Sequence, residues 1–382
     1  MRSSNSFISR RQAIWPTLNP SVHSRSRSEW IPFPLDQESC RIYSKARHAI
    51  WNACTTVGLG ELDTVLVPAY HHGSEVEALL KVGLNIKYYE VNDALEPDPK
   101  DLERLLEPNV KALYLIHYLG FPQDASFWRQ WCDQRNLLLI EDAAQAFLAM
   151  HEGQAVGSFG HISVFCLYKT YGLPDGGAVF SVRPPVPPAQ RAKIGLWPLC
   201  KRHLNWVAAR RAEIGLLHQL IKPVFAWWKR INEQPHAEFD LGNPYTPPSL
   251  MTTYLLPKIV SEGTAQIRRD NYNFLLEHLH DLVPRPFSLL PEGACPFAFP
   301  IEVGDAKLFL SKLRQKGVLG LLFWINPHPS LPVEEFPRSR ALRENLLALP
   351  VHQELTKNNL FMIVNAVREC LESKSEIVVS AV

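Results

Sequence analysis

The chain has 382 residues, with 40 Lys and Arg against 38 Asp and Glu, a formal net charge of +2. Near-balanced charge points to neither nucleic acid nor an acidic membrane surface as a partner, and the length allows a large core and about two domains. The seven cysteines are scattered and form no C-x-x-C pair, which suggests buried free thiols in a reducing, cytoplasmic compartment; no apolar run is long enough to span a membrane.

Residues 1–29 are rich in Ser and Arg, with no acid before Glu29 and no apolar stretch of the kind a secretory signal needs. They read as a flexible arm whose later part docks through Trp15, Trp30 and Phe33. Residues 41–57 read as a helix, with Ala46, Ala49, Ile50 and Ala53 on one face. Residues 64–68 (TVLVP) form a predicted strand that ends in Tyr70-His71-His72-Gly73. Adjacent histidines raise the question of a metal, but no nearby acid or Cys completes a ligand set, so no metal site is expected.

A helix follows over 75–82, a strand over 85–91, a helix over 99–106 and a strand over 111–116 that leads to His117. A helix over 124–134 then precedes the next apolar run. Strands alternating with helices across short loops predict an α/β domain built on a mostly parallel sheet. Ligands in such sheets bind at the carboxyl ends of strands. Tyr70, His117, Asp142 and Lys169 all fall at or just after such ends.

Residues 137–182 carry the chemistry. An apolar run, Leu137 to Ile140, ends in Glu141 and Asp142; a second, Ile162 to Leu167, leads to Lys169; Gly176-Gly177 opens a third, Ala178 to Val182. A lysine amine becomes nucleophilic when burial or positive neighbours lower its pKa. Pyridoxal phosphate (PLP) needs a lysine for its aldehyde, a carboxylate to keep its ring nitrogen protonated, and a phosphate cradle. Lys169 and Asp142 can supply the first two, although an acid and a lysine so placed, taken alone, are more often a solvated surface pair.

Residues 184–248 form an insert that opens with PPVPP and is rich in Arg, Lys and Trp. Its stretch 210–231 alternates apolar and basic residues at helical spacing, as in helices that lie on membranes, or in helices that cover a site or a subunit interface; the second reading is preferred. From Met251 a smaller unit follows, with a helix over 263–282, a strand over 297–303, a helix over 306–316 and a last helix over 357–371. In GLLFWINPHP, Trp324 and His328 are candidates for a pocket wall or for core packing.

The segments EDAAQA (141–146), GSFGHISVF (157–165) and a lysine followed by DGGA (175–178) resemble the DegT/DnrJ/EryC1/StrS aminotransferase family. DTVLVPAY (63–70), IHYLGFPQD (116–124) and LPVHQELT (349–356) extend the resemblance over roughly residues 41–371. It implies the aspartate-aminotransferase-like fold type I of PLP enzymes: an arm over 1–38, a large α/β domain over 39–250 and a small domain over 251–382, assembled as a homodimer. It also implies transfer of an amino group from glutamate to a nucleotide-linked keto sugar for a polysaccharide or other glycoconjugate. By position, Lys169 holds PLP, Asp142 pairs with the ring nitrogen and Gln145 supports the ring. His72 is the favoured ring-stacking residue, ahead of Tyr70 and His71.

Two departures bear on the phosphate. Cys166 stands where the family has Ser, two residues fewer separate it from the lysine, and Ser44-Lys45-Ala46-Arg47 replaces S-G-T. Ala46, Arg47 and Cys166 are therefore the phosphate candidates, and Asn243 is the candidate for an Asn supplied by the partner subunit. A PLP enzyme with a non-sugar acceptor, or a non-catalytic ligand-binding member of the fold, are the alternatives.

Overall fold

The structure is a computed structural model that describes residues 11–210 and 238–379. The helix expected within 210–231 therefore lies outside the described residues, apart from Arg210.

Among the described residues the central sheet contains seven strands. In chain order they are β2 (Arg41–Tyr43), β3 (Thr64–Pro68), β4 (Asn85–Tyr89), β5 (Val110–Ile116), β6 (Leu138–Asp142), β9 (Ile162–Cys166) and β10 (Gly177–Ser181). A two-residue strand β1 (Gln12–Ala13) and a small hairpin, β7 (Met150–His151) with β8 (Gln154–Ala155), lie outside this sheet. The spatial order is β2-β10-β9-β6-β5-β3-β4, and β4, β3, β5, β6 and β9 run parallel. Strand β10 turns back antiparallel to β9 and carries β2 on its far side. All five residues of β3 are buried, as expected of a strand covered on both faces. Helices α1 (Ala46–Val57), α2 (Ser74–Val82), α3 (Pro99–Leu105) and α4 (Ala125–Asp133) connect the strands.

One expected element divides in two. Residues 41–57 are not one helix: Arg41–Tyr43 pair with Gly177–Val179, and the helix begins only at Ala46. The helical face read from the sequence starts at that residue, whereas the strand owes its existence to a partner 134–138 positions away, which local periodicity does not register.

The C-terminal part has a three-stranded antiparallel sheet in which Leu346–Pro350 lies between Ala298–Glu302 and Leu321–Leu322. Helices Thr264–Leu279, Ala306–Gln315 and Lys357–Val379 accompany it. From residue 11 onward the N-terminal segment is built into the fold rather than loose. Strand β1 runs parallel to Val318–Leu319, and Leu18 and Val22 are buried. Composition alone predicts flexibility there because the pairing lies 306 residues away.

Candidate active site

The carboxyl ends of β3, β6 and β9 open onto a cavity of about 280 Å³, closed on its other side by the loop that follows Leu321–Leu322. Asp142 is the last residue of β6. Its Oδ2 accepts the Tyr114 hydroxyl at 2.7 Å and its Oδ1 accepts the Ala144 N–H at 2.9 Å. Burial and then the negative charge of Glu75 push the Asp142 pKa up, while Lys169 opposes them. The carboxylate is thus held at two points and is poised to gain from a cation placed against it.

Lys169 lies in a single helical turn, α5 (Leu167–Thr170), capped by Cys166. That turn is gripped by Arg268, whose buried guanidinium donates to the carbonyls of Thr170 (2.8 Å), Lys169 (3.4 Å) and Pro296 (2.9 Å). Lys169 Nζ stands 5.9 Å from the centre of the Phe297 ring, and among the described residues no carboxylate lies within ion-pair distance of it. The amine therefore faces the cavity without being tied to an acid.

Of Tyr70, His71 and His72, in the loop that follows β3, only His72 lines the cavity. Its Nδ1 accepts the Ser74 hydroxyl at 3.0 Å and faces the Ser74 N–H at 3.4 Å, which places its own proton on Nε2. Burial, Lys169 and Arg47 lower its pKa to about 4, so the ring is neutral at physiological pH. Glu75 accepts the His72 N–H at 2.8 Å and fixes the loop. Tyr70 instead stacks on Tyr118, and His71 stacks on Tyr88 while its Nδ1 donates to Pro68 O at 2.8 Å.

Ala46 and Arg47, the first residues of α1, also line the cavity. Their N-cap, Lys45, gives the helix no side-chain cap, so the positive end of the helix faces the site. A close approach brings it there: a Cβ on Gly177 would lie 2.3 Å from Ala46 N. This explains why the chain has glycine at that point in the DGG segment. Cys166 is buried in the cavity wall, and burial raises its thiol pKa. Gln145 lines the wall too, and its Oε1 accepts the Leu119 N–H at 2.7 Å.

Two expectations change. His117 is not part of the cavity; it is buried, with its Nδ1 accepting the Gln123 N–H at 3.0 Å and its Nε2 donating to Glu141 at 3.0 Å. Glu141, itself fully buried, also accepts the N–H groups of Gly157 and Gly160. The first acid of EDAAQA thus ties β6 to the loop before β9, and the second faces the site. His328 likewise turns away, between Glu77 and Ser330, whereas Trp324 does line the cavity. Asn243 is outside the cavity of its own chain, where its Oδ1 accepts the Tyr245 N–H at 2.9 Å.

The residues present fit PLP. A free amine, a carboxylate at a strand end, a neutral aromatic ring and an uncapped helix N-terminus flanked by Lys45 and Arg47 surround one space. The family profile for DegT/DnrJ/EryC1/StrS aminotransferases matches residues 36–186. A UDP-N-acetyl-3-dehydro-alpha-D-glucosamine 3-aminotransferase from Acidithiobacillus ferrooxidans is 33% identical over 340 residues, 85% of this chain and 82% of that protein. The chain belongs to the DegT/DnrJ/EryC1/StrS aminotransferase family.

A GDP-perosamine synthase from Vibrio cholerae is 28% identical over 170 residues, 44% of this chain; the match spans about half of that relative's length, 46%. Among solved structures, the putative sugar aminotransferase Spr1654 from Streptococcus pneumoniae in its PLP form superposes with a TM-score of 0.64 at 16% identity. It covers 95% of this chain and 99% of that one, and shows the shared fold. Sequence reasoning missed Arg268, Glu75, Tyr168 and Phe297. The RRDNY run that contains Arg268 reads as an ordinary charged helix, because nothing local reveals that its guanidinium is buried against carbonyls from two other segments.

Proposed function

We propose that this family member binds PLP through Lys169 and transfers an amino group from glutamate to a nucleotide-linked keto sugar, as a cytoplasmic homodimer supplying a polysaccharide or other glycoconjugate. The observation that carries the reading is the convergence of Lys169, Asp142, His72 and the start of α1 on one cavity. When bound, PLP supplies an aldehyde and a ring that withdraws electrons from the carbon bearing the substrate amine.

The chain's own residues then have definite tasks. Lys169 Nζ would hold the aldehyde end, and the same amine is placed to carry a proton to and from the substrate carbon. Asp142 keeps a proton on the ring nitrogen by its negative charge, and Tyr114 and Ala144 keep its two oxygens in place. His72 covers one face of the ring as a neutral imidazole. Ala46, Arg47 and Cys166 hold the phosphate, the first two through the positive end of α1.

A division into arm (1–38), large domain (39–250) and small domain (251–382) accompanies this reading. Support for a dimer comes from exposed apolar side chains on two stretches joined by backbone hydrogen bonds. Ile194 and Leu196 lie beside Leu250 and Tyr254, with Leu250 N bonded to Lys193 O and Met251 N to Ile194 O. Asn243, in the same region, is the residue offered to the partner. Among the described residues no helix is long and apolar enough to cross a membrane.

The test is the visible spectrum of the purified protein with PLP, wild type beside Lys169→Ala. The expected result is a band that borohydride reduces and fixes covalently, absent from the variant, and that glutamate converts. Transamination in the variant should fall by roughly 10²–10⁴-fold. A wild-type protein without that band would sink the enzymatic reading and leave a ligand-binding protein.

A further inference from the structure

The N-terminal segment lies outside the family match, which begins at residue 36, yet it reaches the active-site cavity. Trp15 is part of the cavity wall together with Lys169, Tyr168 and Phe297. Its ring centre lies 5.6 Å from that of Phe297 and 6.2 Å from that of Tyr168, so the three rings form one aromatic surface beside the reactive amine. The indole is only partly buried, and among the described residues no group accepts its N–H.

The chain invests heavily in holding this one side chain in place. Before Trp15, Gln12 N donates to Gly317 O at 2.8 Å, strand β1 pairs with Val318–Leu319, and His352 Nε2 bonds Ala13 O at 3.1 Å. After it, Arg202 donates to Pro16 O at 3.1 Å and Leu18 N to Arg202 O at 3.3 Å. The strap also buries the side-chain amide of Gln12 and the hydroxyl of Thr17 without hydrogen-bond partners. Such burial is unfavourable, so the segment is retained in spite of a local cost.

None of these restraints serves the cofactor. Its amine, carboxylate, ring cover and helix N-terminus all come from residues 46–169. What Trp15 adds is a flat apolar face with one hydrogen-bond donor at its edge, next to the point where the acceptor carbon must meet Lys169. A pyranose ring presents a matching surface: a face of C–H groups flanked by hydroxyl oxygens. An acyclic oxo acid does not.

We propose that the strap is a specificity element and that Trp15 is the residue against which the sugar ring of the acceptor packs. This rests on the aminotransferase reading of the site, and it assigns the acceptor's sugar, rather than its nucleotide, to the aromatic wall.

The test measures equilibrium binding of unreactive probes by calorimetry. The probes are UDP-N-acetylglucosamine, GDP-mannose and dTDP-glucose, each compared with its nucleoside diphosphate alone, on protein incubated with pyridoxamine phosphate. In the wild type at least one sugar nucleotide binds more tightly than its diphosphate. In Trp15→Ala that margin falls at least tenfold or vanishes, and in Trp15→Phe, which keeps a flat ring, most of it remains. Trp30→Ala, which alters the arm away from the cavity, keeps the wild-type margin. Affinity for PLP stays within twofold in both Trp15 variants. A margin that survives Trp15→Ala, or a wild type with no margin for any of the three, overturns the proposal. Failure of the wild type to take up either cofactor form overturns the aminotransferase reading instead, and the binding margin still reports on Trp15.

Discussion

Gly177→Ala tests the cradle at its tightest point. The new Cβ would lie 2.3 Å from Ala46 N and from the Lys45 carbonyl carbon, both backbone atoms. Ordinary contact with a methyl group begins at about 3.4 Å, so α1 and β10 must separate by about 1 Å. Strand β10 is not free to yield, because it is hydrogen-bonded between β2 and β9. Overpacking of this kind costs about 1–3 kcal/mol of stability. The larger effect should fall on cofactor capture, since a displacement of about 1 Å can weaken a positioned site by on the order of 10²-fold.

Gly176→Ala is the informative companion. Gly176 has φ +125°, and a Cβ there would meet Leu167 and Thr252 side chains at an ordinary contact distance of 3.4 Å, so its substitution strains the turn without pushing on α1. It should cost about 1–3 kcal/mol of stability and leave PLP affinity much less affected. Both variants are compared by denaturant unfolding and by PLP titration at equal folded fraction. If Gly177→Ala binds PLP as well as Gly176→Ala does, the start of α1 does not hold the phosphate.

Glu141→Gln should destabilise the fold by about 1–3 kcal/mol without removing any group from the cavity, because an amide NH2 would oppose N–H donors in a buried site. Urea unfolding reads this, and a loss under 1 kcal/mol would refute the tie between β6 and the loop before β9. The protein should also lose stability on mild acidification. Burial lowers the pKa values of His48 to about 4 and of His71 and His352 to about 3, from 6.5 in the unfolded chain. The unfolded state therefore binds more protons below pH 6.5, and stability that is fully present above that pH is lost as pH falls toward 4. Asp142 and Asp175, raised by burial, oppose this in part. Melting temperatures at pH 7.5, 6 and 5 should fall steadily; a flat profile would mean that these histidines are not buried as neutral rings.

What the sequence determined by itself was the local grammar of the fold and the identity of its reactive groups. The apolar runs ending in Asp142 and Lys169 could be read as strands because buried parallel strands carry continuous apolar residues, and strand ends are where ligands bind. Choosing His72 over Tyr70 and His71 needed the resemblance as well, since three adjacent aromatic residues differ only in where the loop turns them. Other features depended on partners far away in sequence. Residues 41–43 became a strand through β10, Trp15 entered the site through Val318–Leu319, and Arg268 reached the Lys169 turn from a helix 99 positions on. His117 left the site because buried Glu141 needed its N–H. Periodicity and composition report on neighbours along the chain, whereas these placements were decided by packing and by the requirement that buried polar groups find partners. Only the tertiary structure supplies that information.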